Sequence, residues 1–365
     1  MEAGIVGLPY VGKTTLFEAL TGVAPDPGAA GAGRPNVGVA DIPDPRLAVI
    51  ASHIPTRKIV HAQLKLVDIP GLVRGSSEGA GMGNAFLSHV RNVDALIHVV
   101  RCFRKSPGGQ EVAHVEGSLG PARDIETIEL ELIFADLQMV ENALPRAEKA
   151  ARKRDAESLA RLSVLRKAMP LLGEGQPVRG LPLEGDAERK AFKGLAMLSS
   201  KPSLYVANVD EEDAGGEGEL SMQVRARAEE IGAQSVPVCA RLEAELSQMD
   251  EGDRAEMLES LGLDEPALHK LARATYRLLG MQSFYTAGEK ETRAWTTPVG
   301  STAVDAAGAI HSDIQRGFIR AEVYSVSDLA QHKSEKAIKE AGKMRVEGKG
   351  YVMRDEDVCH FLFNV

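Results

Sequence analysis

The feature that most constrains the fold is a glycine-rich turn near the amino terminus, Gly7-Leu-Pro-Tyr-Val-Gly12-Lys13-Thr14. It matches the pattern G-x-x-x-x-G-K-[ST], in which the glycines let the backbone bend so that several amide N–H groups converge on phosphate oxygens. A short apolar run at residues 3–7 precedes the turn, and a helix-compatible stretch at residues 13–20 follows it. A helix that starts at the turn also presents its positive end to a phosphate. The sequence therefore predicts a phosphate-binding loop between a strand and a helix.

Further strand-sized apolar runs recur along the chain, at residues 64–69, 95–100, 204–207 and 236–239. Such near-continuous hydrophobic runs are typical of parallel strands that are covered on both faces. Helix-compatible segments separate them, and strands that alternate with helices indicate a doubly wound α/β domain. Together with the phosphate loop, this pattern predicts the P-loop NTPase fold class.

Two other regions differ from this pattern. Between residues 123 and 200 apolar residues recur at helical spacing, which predicts a helical hairpin inserted into the α/β domain. From about residue 280, short alternating segments separated by glycine turns predict a small α+β domain. We therefore expect the α/β domain at residues 1–122 and 201–279, the helical insertion at 123–200 and the small domain at 280–365.

Composition excludes several classes of protein. The 43 basic and 52 acidic residues give a net charge of −9, which argues against a uniformly basic nucleic-acid-binding surface. The three cysteines are far apart, so they form neither a zinc motif nor a disulfide framework, as in a reducing cytosol. The first strand begins almost at Met1, and no stretch reaches the roughly 18 apolar residues of a membrane span. We expect a cytoplasmic protein with no signal peptide and no membrane partner.

The candidate site residues follow from the chemistry of a bound triphosphate. Lys13 would neutralise the β- and γ-phosphates, and the Thr14 hydroxyl is a hard oxygen ligand for Mg²⁺. Asp68 ends the strand at 64–69, where its carboxylate can reach the Mg²⁺, and the N–H of Gly71 can meet the γ-phosphate. The predicted nucleotide-binding set is completed by Gly7, Tyr10, Val11, Gly12 and Thr15.

The base is predicted from the segment Asn208-Val209-Asp210-Glu211, which follows the strand at 204–207. Guanine-binding proteins of this fold carry Asn-Lys-x-Asp there, and the Asp accepts hydrogen bonds from guanine. Val209 replaces the lysine that covers the base, and the longer Glu211 replaces the aspartate. A site whose polar groups are left unpaired by a base rejects that base. We therefore favour adenine, with guanine as the alternative.

The residue that orients the attacking water is not evident from the motif. Leu72 stands where Ras-like enzymes carry a glutamine, and a leucine cannot orient water. The candidates to replace it are His114, in the loop after the strand at 95–100, and Glu78 or His89. A leucine at position 72 is compatible with slow ATP hydrolysis, and also with a binding module that holds ATP with little turnover.

Several motifs together resemble the YchF (Obg-like ATPase) family. They are the phosphate loop, Pro35-Asn-Val-Gly38, Asp68-Ile-Pro-Gly-Leu-Val, Gly79-Ala-Gly-Met-Gly-Asn-Ala-Phe-Leu, His98-Val-Val-Arg-Cys-Phe, Asn208-Val-Asp-Glu, Phe284-Tyr-Thr-Ala-Gly-Glu-Lys-Glu-Thr-Arg-Ala-Trp295 and Gly317-Phe-Ile-Arg-Ala-Glu322. The resemblance implies an ATPase core that binds ATP and Mg²⁺, a helical coiled-coil insert and a β-grasp TGS domain. It also implies binding to the ribosome and a link to translation or stress responses. The position of His114 is the family's candidate to replace the missing glutamine.

The sequence departs from the family pattern at two places. Tyr10 stands where the family usually has asparagine, and Ala32 lies near the place of the switch threonine that binds Mg²⁺ and senses the γ-phosphate. No Ser or Thr occurs between Thr21 and Ser52. We therefore expect weaker Mg²⁺ dependence or slower hydrolysis than in members that carry the threonine.

A basic stretch marks a candidate partner surface. Residues 146–167 include eight basic and three acidic residues. The basic residues are Arg146, Lys149, Arg152, Lys153, Arg154, Arg161, Arg166 and Lys167. Charge alone is compatible with a solvated coiled-coil face or with an RNA backbone contact. The family resemblance favours a ribosome contact through this insert and the TGS domain. The sequence does not distinguish a monomer from a homo-oligomer.

The leading interpretation is a slow, Mg²⁺-dependent ATPase that acts as a nucleotide-controlled switch on the ribosome. The alternatives are a translation-type GTPase and an ATP-holding binding module with little turnover. The segment that ends in Glu211 speaks against the GTPase, whereas Leu72 and the absent threonine are compatible with the binding module.

Overall fold

The computed structural model describes residues 1–26, 28, 34–71, 82–105, 112–115 and 117–364. Ala32, Leu72 and Glu78 lie outside the described residues, so the expectations attached to them stay predictions. No helix in the described part of the chain is long and apolar enough to span a bilayer.

The strands of the described chain are β1 Glu2–Val6, β2 Asn36–Ile42, β3 Ile59–Val60, β4 Ala62–Asp68, β5 Ala95–Cys102, β6 Ser203–Val209, β7 Gln234–Val238, β8 Met281–Thr286, β9 Thr292–Pro298, β10 Phe318–Ser325, β11 Arg345–Glu347 and β12 Asp357–Phe363. The α-helices are α1 Lys13–Thr21, α2 Pro45–His53, α3 Met82–Asn92, α4 Pro121–Ala151, α5 Ala156–Gly173, α6 Gly185–Leu195, α7 Glu219–Glu230, α8 Ala240–Leu246, α9 Glu251–Ser260, α10 Ala267–Leu278, α11 Ala303–Ile310, α12 Ser312–Arg316, α13 Val326–His332 and α14 Glu335–Glu340.

The first sheet has six strands in the order β2-β4-β1-β5-β6-β7. The pairs β1–β4, β1–β5, β5–β6 and β6–β7 are parallel. Every residue of β5 and β6 is buried, as expected where helices cover both faces of a sheet. The predicted P-loop α/β fold class is therefore confirmed. The parallel strands leave their carboxyl ends at one edge, where ligands of such sheets bind.

The helical segment between β5 and β6 is built on the long helix α4 and the antiparallel helix α5. The two helices share an apolar core with buried Val140, Val164 and Leu165, and α6 packs against α5. The turn between α4 and α5 consists of exposed Arg152, Lys153 and Arg154 and ends at Asp155, whose carboxylate accepts a hydrogen bond from Ser158 N and caps α5. The predicted hairpin is thus present, accompanied by a third helix.

The second sheet has six strands in the order β11-β10-β12-β8-β9-β3. Its core contains buried Phe284, Phe318 and Phe361, and α11 packs against it with Ala303, Ala306 and Ala307. β3 joins this sheet by pairing in parallel with β9.

The chain divides into two compact units. Unit 1 comprises residues 1–38 and 65–270, and unit 2 comprises residues 39–64 and 271–365. The sequence pattern predicts residues 39–64 as part of the first domain, whereas their packing groups them with the carboxyl-terminal sheet. The reason is that α2 and β3 pack on β9 and α13, which lie more than 200 residues further along the chain. The predicted boundaries near residues 123, 200 and 280 stay predictions.

Candidate functional site

The glycine turn connects β1 to α1, and its glycines are required by geometry. Gly7 has φ +155°, and a Cβ there would lie 2.5 Å from the carbonyl oxygen of Val99. Gly12 has φ +91°, and a Cβ there would lie 2.3 Å from Nδ2 of Asn208. Both distances are far shorter than a van der Waals contact, so any side chain would push the loop away from the neighbouring strands β5 and β6. The glycines hold the loop against the sheet edge.

Tyr10 lies at the tip of this loop. It adopts a left-handed backbone conformation with φ +63°, and its side chain points outward, with 71% of the residue exposed. A residue with a Cβ pays roughly 1 kcal/mol for this conformation, a cost that asparagine tolerates better. Tyr10 therefore carries local strain.

The Lys13 side chain turns back into the loop and is only 7% exposed. Its Nζ donates hydrogen bonds to the carbonyl oxygens of Gly7 at 3.0 Å and Leu8 at 2.7 Å. Burial lowers the pKa of Lys13 to about 8, and the Asp68 carboxylate partly opposes that shift. A Cβ on Gly71 would lie 3.0 Å from this Nζ, so the chain after β4 passes directly beside the ammonium group. An anion placed here would stabilise a positive charge that the protein has desolvated.

Thr14 and Asp68 form a pair of hard oxygen groups beside Lys13. The Thr14 hydroxyl donates to Oδ2 of Asp68 at 3.1 Å, because the register of β1 and β4 places Asp68 next to Ile5, just before the loop. Burial raises the pKa of Asp68, although the hydrogen bonds from Asn36 and Thr14 lower it in part. A hydroxyl and a carboxylate at this separation fit the ligands that Mg²⁺ uses beside nucleotide phosphates.

The rest of a cation's coordination shell has to come from elsewhere. Among the described residues no group of three or more His, Cys, Asp or Glu side chains could hold a metal ion by itself. The Thr14–Asp68 pair therefore fits a cation that arrives with phosphate oxygens and water.

Asn36 links the Asp68 carboxylate to the segment that precedes β2. Its Nδ2 donates to Oδ2 of Asp68 at 3.4 Å, and its Oδ1 accepts a hydrogen bond from the N–H of Asp26 at 3.1 Å. In the sequence, Asn36 is recognisable only as part of the motif Pro35-Asn-Val-Gly38. The contact with Asp68 joins residues 32 positions apart, so local sequence gave no sign of it.

A cavity of about 340 Å³ adjoins the loop at the ends of β6 and β7. Its lining includes Tyr10, Thr15, Phe103, Val209, Glu211 and Cys239. Val209 is only 2% exposed and packs in the apolar core, so it does not extend over the cavity as a lysine would. The lining thus combines two aromatic rings and several apolar residues with charged side chains, which suits a planar purine that carries polar groups.

Asn208 lines the cavity, and both polar atoms of its side chain are bonded to neighbouring backbone groups. Its Nδ2 donates to the carbonyl oxygen of Val11 at 2.9 Å, and its Oδ1 accepts from the N–H of Ala240 at 3.1 Å. Asn208 therefore ties the phosphate loop to β6 and to the start of α8.

Arg101, which sequence reasoning missed, organises the loop after β5. The residue is 2% exposed, and its guanidinium donates to four backbone carbonyls, those of Phe103, Arg104, Val112 and Ala113. The motif at residues 98–103 contains Arg101 but gives no sign of its role, because only the folded loop shows which carbonyls the guanidinium binds.

His114 is held by the first turn of α4. Its Nε2 lies 2.8 Å from Oδ2 of Asp124, and both side chains are buried, with 5% and 3% exposed. Arg123 contacts the other oxygen of Asp124 at 3.2 Å. A carboxylate on one ring nitrogen fixes the tautomer and orientation of an imidazole, as in hydrolases that use histidine as a base. His89 lies half-buried in α3.

The three cysteines are buried free thiols. Burial raises the pKa of Cys102 to about 12 and also raises the pKa of Cys239. Both groups are therefore neutral thiols at physiological pH.

The predicted residues of the glycine loop lie close to Thr14, Asp68 and Gly71 in unit 1. Val209 and Glu211 line the cavity that adjoins the loop. His114 instead contacts Asp124 of α4.

Two family models match the chain. Residues 2–133 match a family described as 50S ribosome-binding GTPase, and residues 281–364 match the YchF-GTPase carboxyl-terminal model, described as a protein of unknown function.

Relatives match over the whole chain. The ribosome-binding ATPase YchF of Pasteurella multocida (strain Pm70) is 44% identical, with 100% of this chain and 99% of the relative covered. That of Bacillus subtilis (strain 168) is 42% identical, with both chains covered fully. The solved structure of the Schizosaccharomyces pombe YchF GTPase has 32% sequence identity and a TM-score of 0.84, covering 99% of this chain and 97% of that one.

Proposed function

Because the chain belongs to the YchF family, we propose that it is a ribosome-binding, ATP-hydrolysing switch protein of the cytoplasm. The observation that carries the proposal is the buried Lys13 ammonium inside the glycine loop, beside the Thr14–Asp68 pair. A desolvated cation among backbone amides, next to hard oxygen groups, is suited to a metal-bound triphosphate. In this proposal Lys13 and the loop amides hold the phosphates, and Thr14 and Asp68 hold Mg²⁺.

The test of this core proposal is ATP binding by the purified chain, measured by calorimetry. We expect micromolar or tighter binding by the wild type and a loss of at least about 100-fold in Lys13→Ala, because one charge-assisted contact to phosphate is worth about 1.5–3 kcal/mol and the buried site adds to it. Lys65→Ala, which removes an exposed lysine on β4, is the matched control. A Lys13→Ala protein that binds ATP as well as the wild type would refute the site.

The relatives' names divide between ATPase and GTPase, so the base needs its own argument. Buried Val209 supplies no cover for a guanine base, and the Asp210 carboxylate accepts a hydrogen bond from the N–H of Arg104 at 3.2 Å. These features favour adenine. Direct competition between ATP and GTP tests this choice, and equal affinities would favour the GTPase alternative.

The Mg²⁺ part of the proposal includes Asn36 as a residue that orients Asp68. Removing its amide in Asn36→Ala should weaken the Mg²⁺-dependent part of ATP affinity by about 3- to 10-fold, since a hydrogen bond to a charged group is at stake. ATP affinity without Mg²⁺ should stay unchanged. Asn142→Ala, at an exposed position of α4, is the control. Equal losses with and without Mg²⁺ would contradict this role.

We propose that turnover is slow and that His114 orients the attacking water. The support is the His114–Asp124 contact, which fixes the imidazole. Single-turnover ATP hydrolysis with and without ribosomes separates a switch from an ATP-holding module. Ribosome-stimulated hydrolysis that falls in His114→Ala supports the switch, and no hydrolysis under either condition supports the module.

We also propose the three-part organisation of the family for this chain, with the ATPase core, the helical insert at 123–200 and a TGS domain at 280–365. The insert would contact ribosomal RNA through the exposed basic turn between α4 and α5. Two of the basic residues lie in ion pairs, Arg166 with Glu148 and Lys167 with Glu188. The turn Arg152-Lys153-Arg154 therefore carries the strongest local charge for an RNA backbone.

A further inference from the structure

One guanidinium group holds together the two ends of the loop 103–113, which follows β5. Arg101 Nε donates to the carbonyl of Phe103 at 3.0 Å, and its Nη2 donates to that of Arg104 at 3.3 Å. On the other side of the loop, Nη2 donates to Val112 O at 2.8 Å and Nη1 to Ala113 O at 3.1 Å. The two ends of the loop are therefore held to the same planar group.

The position of this arginine in the sheet connects it to the nucleotide site. In the register of β5 and β6, Arg101 is the partner of Asn208, the residue that ties β6 to the phosphate loop. The Arg101 guanidinium also stacks over the Phe103 ring, with 4.8 Å between its Cζ and the ring centroid. The stacking contact and the hydrogen bond to its carbonyl together restrict the position of Phe103.

The clamped ends of the loop form one wall of the cavity. Phe103 and Lys105 line it from one end of the loop, and Val112 lines it from the other. The phosphate loop contributes a different part of the lining. A displacement of the clamped ends would therefore change the cavity and leave the Lys13 and Thr14 geometry in place.

We propose that Arg101 is a positioning residue for the base end of the nucleotide. It holds the wall against which the purine packs, so the affinity for the nucleoside part of ATP depends on it and the affinity for the phosphate part does not. This inference rests on the proposed ATP-binding function. It assigns to a residue that does not line the cavity a role in selecting the nucleotide.

Lysine cannot replace arginine in this arrangement. An ammonium is a compact point charge, whereas the guanidinium presents donors in a rigid planar fork that reaches carbonyls on two sides. Arg101→Lys keeps the charge and most of the volume but loses the fork. It is therefore the variant of choice, and Arg104→Lys, at an exposed residue of the same loop, is the matched control.

The experiment measures calorimetric affinities for ATP, GTP and inorganic tripolyphosphate, all with Mg²⁺. Tripolyphosphate has no base and reports on the phosphate loop alone. In Arg101→Lys we expect ATP to bind about 10-fold more weakly or worse, as for lost charge-assisted hydrogen bonds, and the preference for ATP over GTP to shrink. Tripolyphosphate affinity should stay within about two-fold of the wild type, and Arg104→Lys should match the wild type for every ligand.

Three outcomes would overturn the inference or its premise. Unchanged ATP affinity in Arg101→Lys contradicts the positioning role. Equal losses for ATP and tripolyphosphate assign Arg101 to general stability instead. A wild-type chain that binds tripolyphosphate but shows no gain for ATP refutes the base site itself, which is a failure of the proposed function and not of Arg101.

Hydrogen exchange on the wild type gives an answer that does not depend on a variant's folding. The amides of residues 103–105 and 112–114 should gain protection with ATP and not with tripolyphosphate. Equal protection by the two ligands would contradict the inference.

Discussion

Tyr10 adopts a backbone conformation that is unfavourable for a residue with a Cβ atom. Its φ of +63° belongs to the left-handed region, and its side chain is mostly exposed, so little packing compensates the strain. We expect Tyr10→Asn to raise the free energy of unfolding of the ligand-free chain by about 1 kcal/mol. Chemical denaturation measures this change.

The control for this prediction is Tyr10→Phe, which keeps the same Cβ and the same ring. It should leave the free energy of unfolding unchanged to within about 0.5 kcal/mol. A stabilisation of equal size in both variants would mean that the hydroxyl group, and not the backbone conformation, is responsible.

Individual site residues were predictable where they belong to a short motif of neighbouring residues or to the end of an apolar strand. Lys13 and Thr14 follow from the glycine turn, and Asp68 follows from its place at the end of an apolar strand. Arg101 and Asn36 were not predictable as site residues, because their partners come from loop backbone and from distant segments that only the folded chain brings near.

At the scale of elements, the turn between α4 and α5 is the surface that sequence charge alone could not interpret. Its basic residues form the exposed connection of a helical hairpin. We expect the triple variant Arg152→Glu, Lys153→Glu and Arg154→Glu to lower ribosome binding by at least about 10-fold, because each lost phosphate contact also loses counterion release. Co-sedimentation with ribosomes at several salt concentrations measures this loss.

The matched control reverses the same amount of charge on α6, with Arg189→Glu, Lys190→Glu and Lys193→Glu, all exposed in the same helical segment. ATP binding should be normal in both triple variants. Equal loss of ribosome binding in both would show that overall charge matters and that the turn has no special role.

The start of α2 carries a partly buried ion pair with a predictable pH dependence. Asp44 caps the helix, accepts two hydrogen bonds from the Arg46 guanidinium at 2.8 and 2.9 Å and accepts another from the Tyr285 hydroxyl. Burial alone would raise the pKa of Asp44, but the hydrogen bonds from Arg46 and Tyr285 outweigh it and leave the pKa lowered. A lowered carboxyl pKa stabilises the fold above the unfolded-state pKa of 3.8, and this stabilisation is lost as the pH falls through the folded-state pKa.

We therefore expect Asp44→Asn to reduce the free energy of unfolding by about 2 kcal/mol at pH 7, with Asp355 still paired to Arg46. The difference from the wild type should shrink as the pH falls below about 4. Urea unfolding from pH 3 to 7 measures it, with exposed Asp186→Asn as the control. A difference that does not depend on pH would contradict the assigned charge state.

Strands were predictable from the sequence where all of their residues are buried, because a buried strand appears as an unbroken apolar run. β5 and β6 are buried throughout, and their unbroken apolar runs were recognised. β2 was missed because it lies at the edge of its sheet and alternates buried with exposed residues, with Val37 and Val39 exposed.

At the scale of the whole molecule, the division into units is the feature that sequence reading could not give. Segment 39–64 supplies fully buried Leu47 and Ile50 to unit 2, and its β3 pairs with β9. We expect a fragment of residues 271–365 to lack a cooperative thermal transition, because it loses an entire helix and an edge strand. Joining residues 39–64 to it through a flexible linker should restore the transition, as seen by circular dichroism.

The comparison fragment carries the same linker together with Leu47→Ala and Ile50→Ala. These two substitutions should lower the free energy of unfolding of the joined fragment by several kcal/mol, as for large-to-small core substitutions. A fragment of residues 271–365 that melts cooperatively without the added segment would show that unit 2 is complete on its own.

The early position of segment 39–64 has a consequence for biosynthesis. During translation, about 230–260 residues must be polymerised between this segment and its partners in β9 and α13, which takes about 10–50 s at ordinary elongation rates. A nascent chain therefore exposes Leu47 and Ile50 until the last quarter of the polypeptide leaves the ribosomal tunnel. Slow synthesis of the middle region prolongs the interval in which this helix is open to chaperones and proteases.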